Sequence, residues 1–263
     1  MIPFMRALAP TLEPNTFRYR LYLGFDFGDP LWDDATTRRA FEDMHVDIPI
    51  KIHWVRLYAI GNQVTLAHNV ITRQAYEDGC DYFVFSNDDL KFHTKNWTSK
   101  AVDQLLHLDV PNFGTVGFRD VREPMQFYPT FHMTHRTHMQ VFDEFTPVYC
   151  PIVHRYACCD PFVFDVYAPF GAAVLRTDIL VENLAHGNSK SRYVFDGAPP
   201  DRAVYTAGRT RVAELLRAKG NLQPWMPSDP ATLSAYPVFL WKHAPWLTSA
   251  SLLRSSPRIY FRA

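Results

Sequence analysis

The sequence predicts an α/β fold built on a largely parallel sheet, and three observations predict it. Strand-like and helix-like segments alternate at spacings of roughly 25 to 35 residues, the rhythm of βαβ units. One segment, Asp81 to Ser86 (DYFVFS), is a nearly continuous apolar run, the signature of a strand covered on both faces. Hydrophobic residues make up 47% of the 263 residues and charged residues 21%, which excludes a disordered chain and supplies a sizeable core.

Phe17 to Phe25 (FRYRLYLGF) alternates and then turns apolar, and reads as the first strand. It runs into Asp26-Phe27-Gly28-Asp29-Pro30, a turn by composition. An Asp29 cap with Pro30 at the first helical position then opens a helix through Met44. Ile50 to Leu57 alternates cleanly and is a second strand. Thr65 caps a helix to Asp78, with Ala67, Val70, Ile71, Gln74 and Ala75 on its apolar stripe and Gly79 as its stop. The buried strand follows, then a helix over Trp97–Leu108 and a short strand over Gly114–Phe118.

Beyond Asp120 the pattern loosens into proline, histidine and aromatic residues, an irregular half. It sharpens again at a strand over Ala172–Leu175 and a helix over Arg202–Lys219, stopped by Gly220 and Asn221. From Leu222 onward the prolines (Pro224, Pro227, Pro230, Pro237, Pro245 and Pro257) mark a wrapped extension. The expected division is one domain over 1–219 and a C-terminal extension over 220–263.

Charge cancels, with 27 Lys+Arg against 27 Asp+Glu, which argues against a nucleic-acid binder, since phosphate-backbone affinity needs a net basic face. The longest weakly charged run, Pro161 to Leu175, is too short to span a bilayer and carries Asp165. The start of the chain, with Pro3, Arg6 and Pro10, lacks the apolar region of a signal peptide. Cys80, Cys150, Cys158 and Cys159 form no CxxC pair, which argues against a zinc ribbon. A disulfide from Cys150 to one of the adjacent pair and buried free thiols fit equally well, so the compartment stays open between cytoplasm and secretory lumen.

The chemistry points to the end of the buried strand, where Tyr82–Phe85 stops abruptly at Asn87-Asp88-Asp89. Ligands of open α/β sheets bind at the carboxyl ends of strands. Two carboxylates beside an amide there suit a hard divalent cation shared with substrate phosphates; a solvated turn is the alternative. A strand of four hydrophobic residues ending in an Asp-x-Asp-like triplet, after an Asn-bearing helix (AHNVITRQAYEDGCDYFVFSNDD), resembles the GT-A class of nucleotide-sugar glycosyltransferases.

That resemblance implies a Rossmann-like, GT-A-like α/β domain over roughly residues 1 to 219 (an extent read off the sequence pattern), with helices flanking the sheet and an irregular acceptor-side half. It implies Asp89 as the carboxylate holding Mn2+ or Mg2+, Asp88 as the variable middle position, and Asn87 in place of the usual first acid. Asp26 and Asn69 fall on the nucleotide side. Asp160 falls where inverting members keep a catalytic base, here followed by Pro161. The donor would be a UDP- or GDP-type nucleotide-diphosphate sugar and the acceptor a glycan or protein hydroxyl. Such domains begin with a strand that walls the nucleotide pocket. Here the first convincing strand starts only at Phe17, so either that strand is missing upstream or the nucleotide is bound less completely.

His132, His135 and His138 form HxxHxxH. Three ligands at this spacing on one element make a strained zinc site, and a polar acceptor-side groove or ordinary packing competes with it. His186 or His243 would complete a metal shell in the resembling family. Arg119, Asp120 and Arg122 either face a diphosphate or form a surface salt bridge. Trp97, Trp225, Trp241 and Trp246 are better read as packing than as sugar platforms, and Asp143 and Glu144 as helix surface. The functional expectation is metal-dependent sugar transfer with inversion. Two alternatives stand beside it: a catalytically inactive GT-A-like module binding glycans or a partner, which Asn87 favours, and a nucleotidyltransferase, which would need a glycine-rich phosphate loop among only 11 glycines.

Overall fold

The two alternating segments near the start of the chain become a parallel pair. Strand β1 (Tyr19–Asp26) runs beside strand β2 (Ile50–Leu57), in register from Tyr19↔Ile50 to Asp26↔Leu57. The computed structural model describes residues 2–58, 64–122, 129–142, 159–184 and 202–235. Ahead of β1 a short helix, α1 (Ile2–Leu8), buries Phe4, Met5 and Leu8, an element the proline-bearing sequence did not announce.

The helix expected from Pro30 starts later, as α2 (Ala35–Met44). Asp29 Oδ1 instead accepts from the Leu31 and Trp32 amides at 2.8 and 2.7 Å, closing a local turn. Asp34 takes the capping role, accepting from the Thr36 and Thr37 amides at 3.1 and 2.9 Å. The delay lets Trp32 stack on Trp54 of β2 at 5.3 Å and meet Phe41 edge-on at 5.5 Å.

Helix α3 (Val64–Glu77) connects β2 to β3 (Tyr82–Phe85), and Gly79, at φ 81°, ends it as expected. Its buried stripe is not the expected one. Thr65, Asn69 and Ala75 are interior, whereas Val70 is 37% exposed and the Gln74 amide reaches Asp78 Oδ1 at 3.0 Å. Apolar periodicity missed the stripe because half of it is polar.

After β3 come β4 (Leu90–Phe92), α4 (Trp97–Leu106), β5 (Thr115–Asp120) and β6 (His132–His135). Then follow α5 (Cys159–Tyr167), β7 (Ala173–Asn183), α6 (Arg202–Ala218) and α7 (Pro230–Ala235). Strands β3 to β7 form a five-stranded sheet in the order β3-β6-β5-β7-β4, separate from the β1–β2 ladder. The expectation of a mostly parallel sheet is corrected here. Only β5–β7 is parallel in the larger sheet; β3–β6, β5–β6 and β4–β7 are antiparallel, so it is mixed. Two of these pairs come from β6, whose HMTH sequence carries no strand-like alternation yet fills the place between β3 and β5; the third comes from the short β4 turning back along β7.

Helices cover both faces. One core joins α1 and α4 to Val116, Phe118, Val174 and Val181. The other joins α5, α6 and α7 through Val163, Val166, Val212, Leu216 and Leu233. The described part of the C-terminal extension packs on this second core, with Met226 and Leu233 buried in it. No helix among the described residues is long and apolar enough to cross a membrane.

Candidate functional site

Strand directions decide where the expected residues meet. Because β6 is antiparallel to both β3 and β5, those two run the same way, and β7 runs with β5. The start of β1 lies against the entry to β3: Arg20 Nη1 donates to Asp78 O at 2.7 Å, and the Tyr22 hydroxyl to Asp78 Oδ2 at 2.8 Å. The carboxyl ends of β1, β2, β3, β5 and β7 therefore open on one edge. Asp26 closes β1 there, exposed to solvent.

Asn87, Asp88 and Asp89 form the turn between β3 and β4. Asn87 and Asp88 are exposed and Asp89 is half-buried. The turn is fixed by its main chain, with the Leu90 amide donating to Asn87 O at 3.4 Å and the Leu184 amide to Asp89 O at 2.9 Å. The second contact brings in the end of β7, where Asn183 pairs with Leu90. Asp120, at the end of β5 and 1% exposed, accepts at Oδ1 from the Arg122 amide at 2.9 Å and the Asn183 amide at 3.4 Å. Asp89 and Asp120 thus approach Asn183 from two strands. Both Asp89 Oδ1 and Asp120 Oδ2 are shielded from water.

The sequence offered Asp120 either a diphosphate or a surface ion pair, and did not single out Asn183. The signal at Asp120 was a carboxylate ending a buried strand. Arg122 is engaged by Glu182, Nε to Oε1 at 2.8 Å, which with His93 holds that carboxyl below its ordinary range. It serves the ion-pair reading of the two offered for it.

Next to the turn lies a row of stacked rings, of which His132 is fully buried and His68 and Phe85 partly so. His68 of α3 stacks on Phe85 at 4.1 Å, and His132 of β6 lies nearly parallel to the same ring at 5.5 Å and 6°. Burial pushes His68 down to about 4. Burial first, then the nearby His138 and His68, pushes His132 down to about 3. His138 is 1% exposed, and its Nδ1 pairs with the Tyr167 hydroxyl at 2.8 Å. His132 and His138 are therefore interior residues, which corrects their expected place in an acceptor-side groove. His135 is half-exposed and accepts from the Thr137 amide at 3.2 Å. Three apart on a strand, His132 and His135 point to opposite faces. Among the described residues no three His, Cys, Asp or Glu side chains gather as a metal site.

Asn69 is 4% exposed on α3, in the interior. Asp160 is in the first turn of α5, but its side chain lies outside the described residues. His186, His243, Trp241, Trp246, Asp143 and Glu144 lie outside them too. Trp97 is buried, stacked on Phe92 at 4.3 Å, as packing predicts; Trp225 is 53% exposed. Asp165 is 0% exposed, inside the α5–α6 contact.

A cavity of about 590 Å³ runs along β2 from Lys51 to Arg56 and is closed by Arg20, His53, Gln74 and Asp78; Asn87–Asp89 do not line it. Comparison with protein families, with curated proteins and with solved structures yields no match. Function is therefore argued from the residues alone.

Proposed function

We propose that the chain transfers a sugar from a nucleotide-diphosphate donor to an acceptor hydroxyl, with a divalent cation held at Asp89. The observation that carries this reading is the Asn87-Asp88-Asp89 turn at the shared carboxyl edge of the strands, the place where open α/β sheets bind ligands. The GT-A resemblance is part of the same proposal. The donor offered is a hard oxygen, the Asp89 carboxylate, with Asp120 on the other side of Asn183 as a further candidate, which fits Mn2+ or Mg2+ rather than a softer metal.

On the same edge Phe27 and Tyr58 stack on each other at 5.5 Å and stay 64% and 63% exposed, beside Asp26. They offer a flat apolar surface for the donor. When bound, the cation would neutralise the departing diphosphate. Asn87 hydrogen-bonds the ribose, Asp88 flanks it, and Asp26 meets the base, of UDP or GDP type. Asp160 takes the proton of the attacking glycan or protein hydroxyl, and the anomeric centre inverts.

A second reading, a binding module without activity, is favoured by one observation, the amide of Asn87 where an acid would hold metal better. An assay separates the two. UDP- and GDP-sugars are incubated with the protein and Mn2+, and released nucleoside diphosphate is measured. The transferase reading expects release that needs metal and is lost in Asp89→Ala at unchanged melting temperature. No release from any donor favours the inactive module.

A further inference from the structure

The cavity along β2, from Lys51 to Arg56, takes no part in the transferase reading, and it adjoins an open sheet edge. Among the described residues β2 pairs with β1 alone, so its other side presents a row of backbone N–H and C=O groups eight residues long. Ile52 and Trp54 pack towards Trp32 and Phe41. By the alternation of a strand, Lys51 and His53 point the other way, into the cavity beside Gln74 and Asp78 of the α3 end.

The charges there lean positive, with Arg20, Lys51 and Arg56 against Asp78. The Asp78 carboxylate is already taken by the Tyr22 hydroxyl at 2.8 Å and the Gln74 amide at 3.0 Å. Arg56 is held by Asp33 at 2.5 Å. Lys51 is exposed and has no ion-pair partner among the described residues. Arg20 lines the cavity and spends one guanidinium nitrogen on Asp78 O. His53 is stacked on Tyr22 at 4.6 Å, and its Nδ1 lies 3.6 Å from Asp78 Oδ2, so its ring is engaged within the wall.

We propose that this groove docks an acidic peptide segment in extended conformation, added as a further strand on the free edge of β2. Main-chain hydrogen bonds to the edge would supply affinity, and carboxylates of the peptide would meet Lys51 and Arg20. Edge charges that only prevent self-pairing would account for Lys51. They leave the basic cavity beside it without a role. A second copy of the chain fits poorly, because edge-to-edge pairing would set Lys51 and Arg56 of one molecule against those of the other.

The test is fluorescence polarisation on the full chain with a labelled octapeptide of alternating glutamate and threonine. The expected result is saturable binding that weakens roughly tenfold or more when ionic strength is raised from about 0.1 M to about 1 M, where the Debye length falls from about 10 Å to about 3 Å. Amide exchange in Ile50–Leu57 slows on binding. Lys51→Glu, at an exposed position, weakens binding by about tenfold at unchanged melting temperature. Asp89→Ala leaves it unchanged, so this proposal stands or falls separately from sugar transfer. Absence of binding, equal binding of a lysine–threonine octapeptide, indifference to Lys51→Glu or protection confined to other strands each overturns it. So does a concentration-dependent dimer that protects Ile50–Leu57, which would assign the edge to a second copy.

Discussion

The His68 imidazole lies on the Phe85 ring, 4.1 Å between ring centres and 29° between planes, just before the turn that carries Asn87 to Asp89. His132 lies against the same ring. A helix, the edge strand β3 and the proposed metal turn are thus joined through two imidazoles that the fold keeps neutral.

Neutral burial predicts acid sensitivity. An unfolded histidine titrates near its ordinary 6.5, while His68 in the fold is pushed down to about 4 and His132 to about 3. Between those values the unfolded chain binds more protons, so stability falls as pH drops below 6.5 and levels off below about 3. At about 1.4 kcal/mol per pH unit, each histidine removes a few kcal/mol over that window. Urea melts from pH 7 to pH 4 should show a steep loss that His68→Phe reduces; a flat profile would contradict the buried, neutral assignment.

Asp120 is predicted to matter to both fold and ligand. Asp120→Ala strands the Arg122 and Asn183 amides and should cost about 2 kcal/mol in thermal melts. Asp120→Asn keeps the shape and an acceptor, so it should cost under about 1 kcal/mol. If Asp120 helps to hold the cation, Asp120→Asn should still weaken metal-dependent nucleotide binding. Equal nucleotide binding by wild type and Asp120→Asn would confine Asp120 to a structural role.

Gly24 lets α3 approach β1. A Cβ there would sit 2.5 Å from Ile71 Cδ1 and 3.0 Å from Leu57 Cδ1. Gly24→Val should destabilise by about 1–3 kcal/mol through overpacking, and Gly24→Ala by less, because the ends of both side chains can yield. Denaturant midpoints of the two variants check the ordering.

Arg209 ties three helices from a position with 0% exposure, donating from Nε to Asp165 O at 3.3 Å and from Nη1 to Leu233 O at 3.1 Å. Arg209→Ala should cost about 3 kcal/mol or more, since it unpairs buried acceptors and opens a cavity. Limited proteolysis should then cut residues 222–235 first. Cleavage at wild-type rate would show that α7 is held mainly by Leu233 and Met226.

Legibility followed the physics of burial. β1, β2 and β5 were readable because alternating or apolar runs and turn residues agree, and Gly79 and Gly220 marked helix ends by their left-handed backbone. β6 was not, because HMTH is buried at the middle of a sheet without apolar alternation. The second half of β7 was hidden by Arg176-Thr177-Asp178, where the register jumps from Phe118↔Arg176 to Arg119↔Leu180. The Asn87–Asp89 turn was legible as a polar cluster ending an apolar strand. Asp120 and Asn183 were not, since their meeting depends on two strands distant in sequence. The histidines misled because neutral imidazole packs as readily as it binds.

The central claim, a cation-dependent nucleotide site on Asp89, is tested most directly by calorimetry. UDP and GDP are titrated into wild type and Asp89→Ala, each with and without Mn2+. A diphosphate beside carboxylates is repelled unless a divalent ion bridges them. The account predicts binding by wild type that is far tighter with metal, and no such difference in Asp89→Ala at unchanged melting temperature. Equal binding with and without Mn2+, or a metal effect that survives in Asp89→Ala, would contradict it.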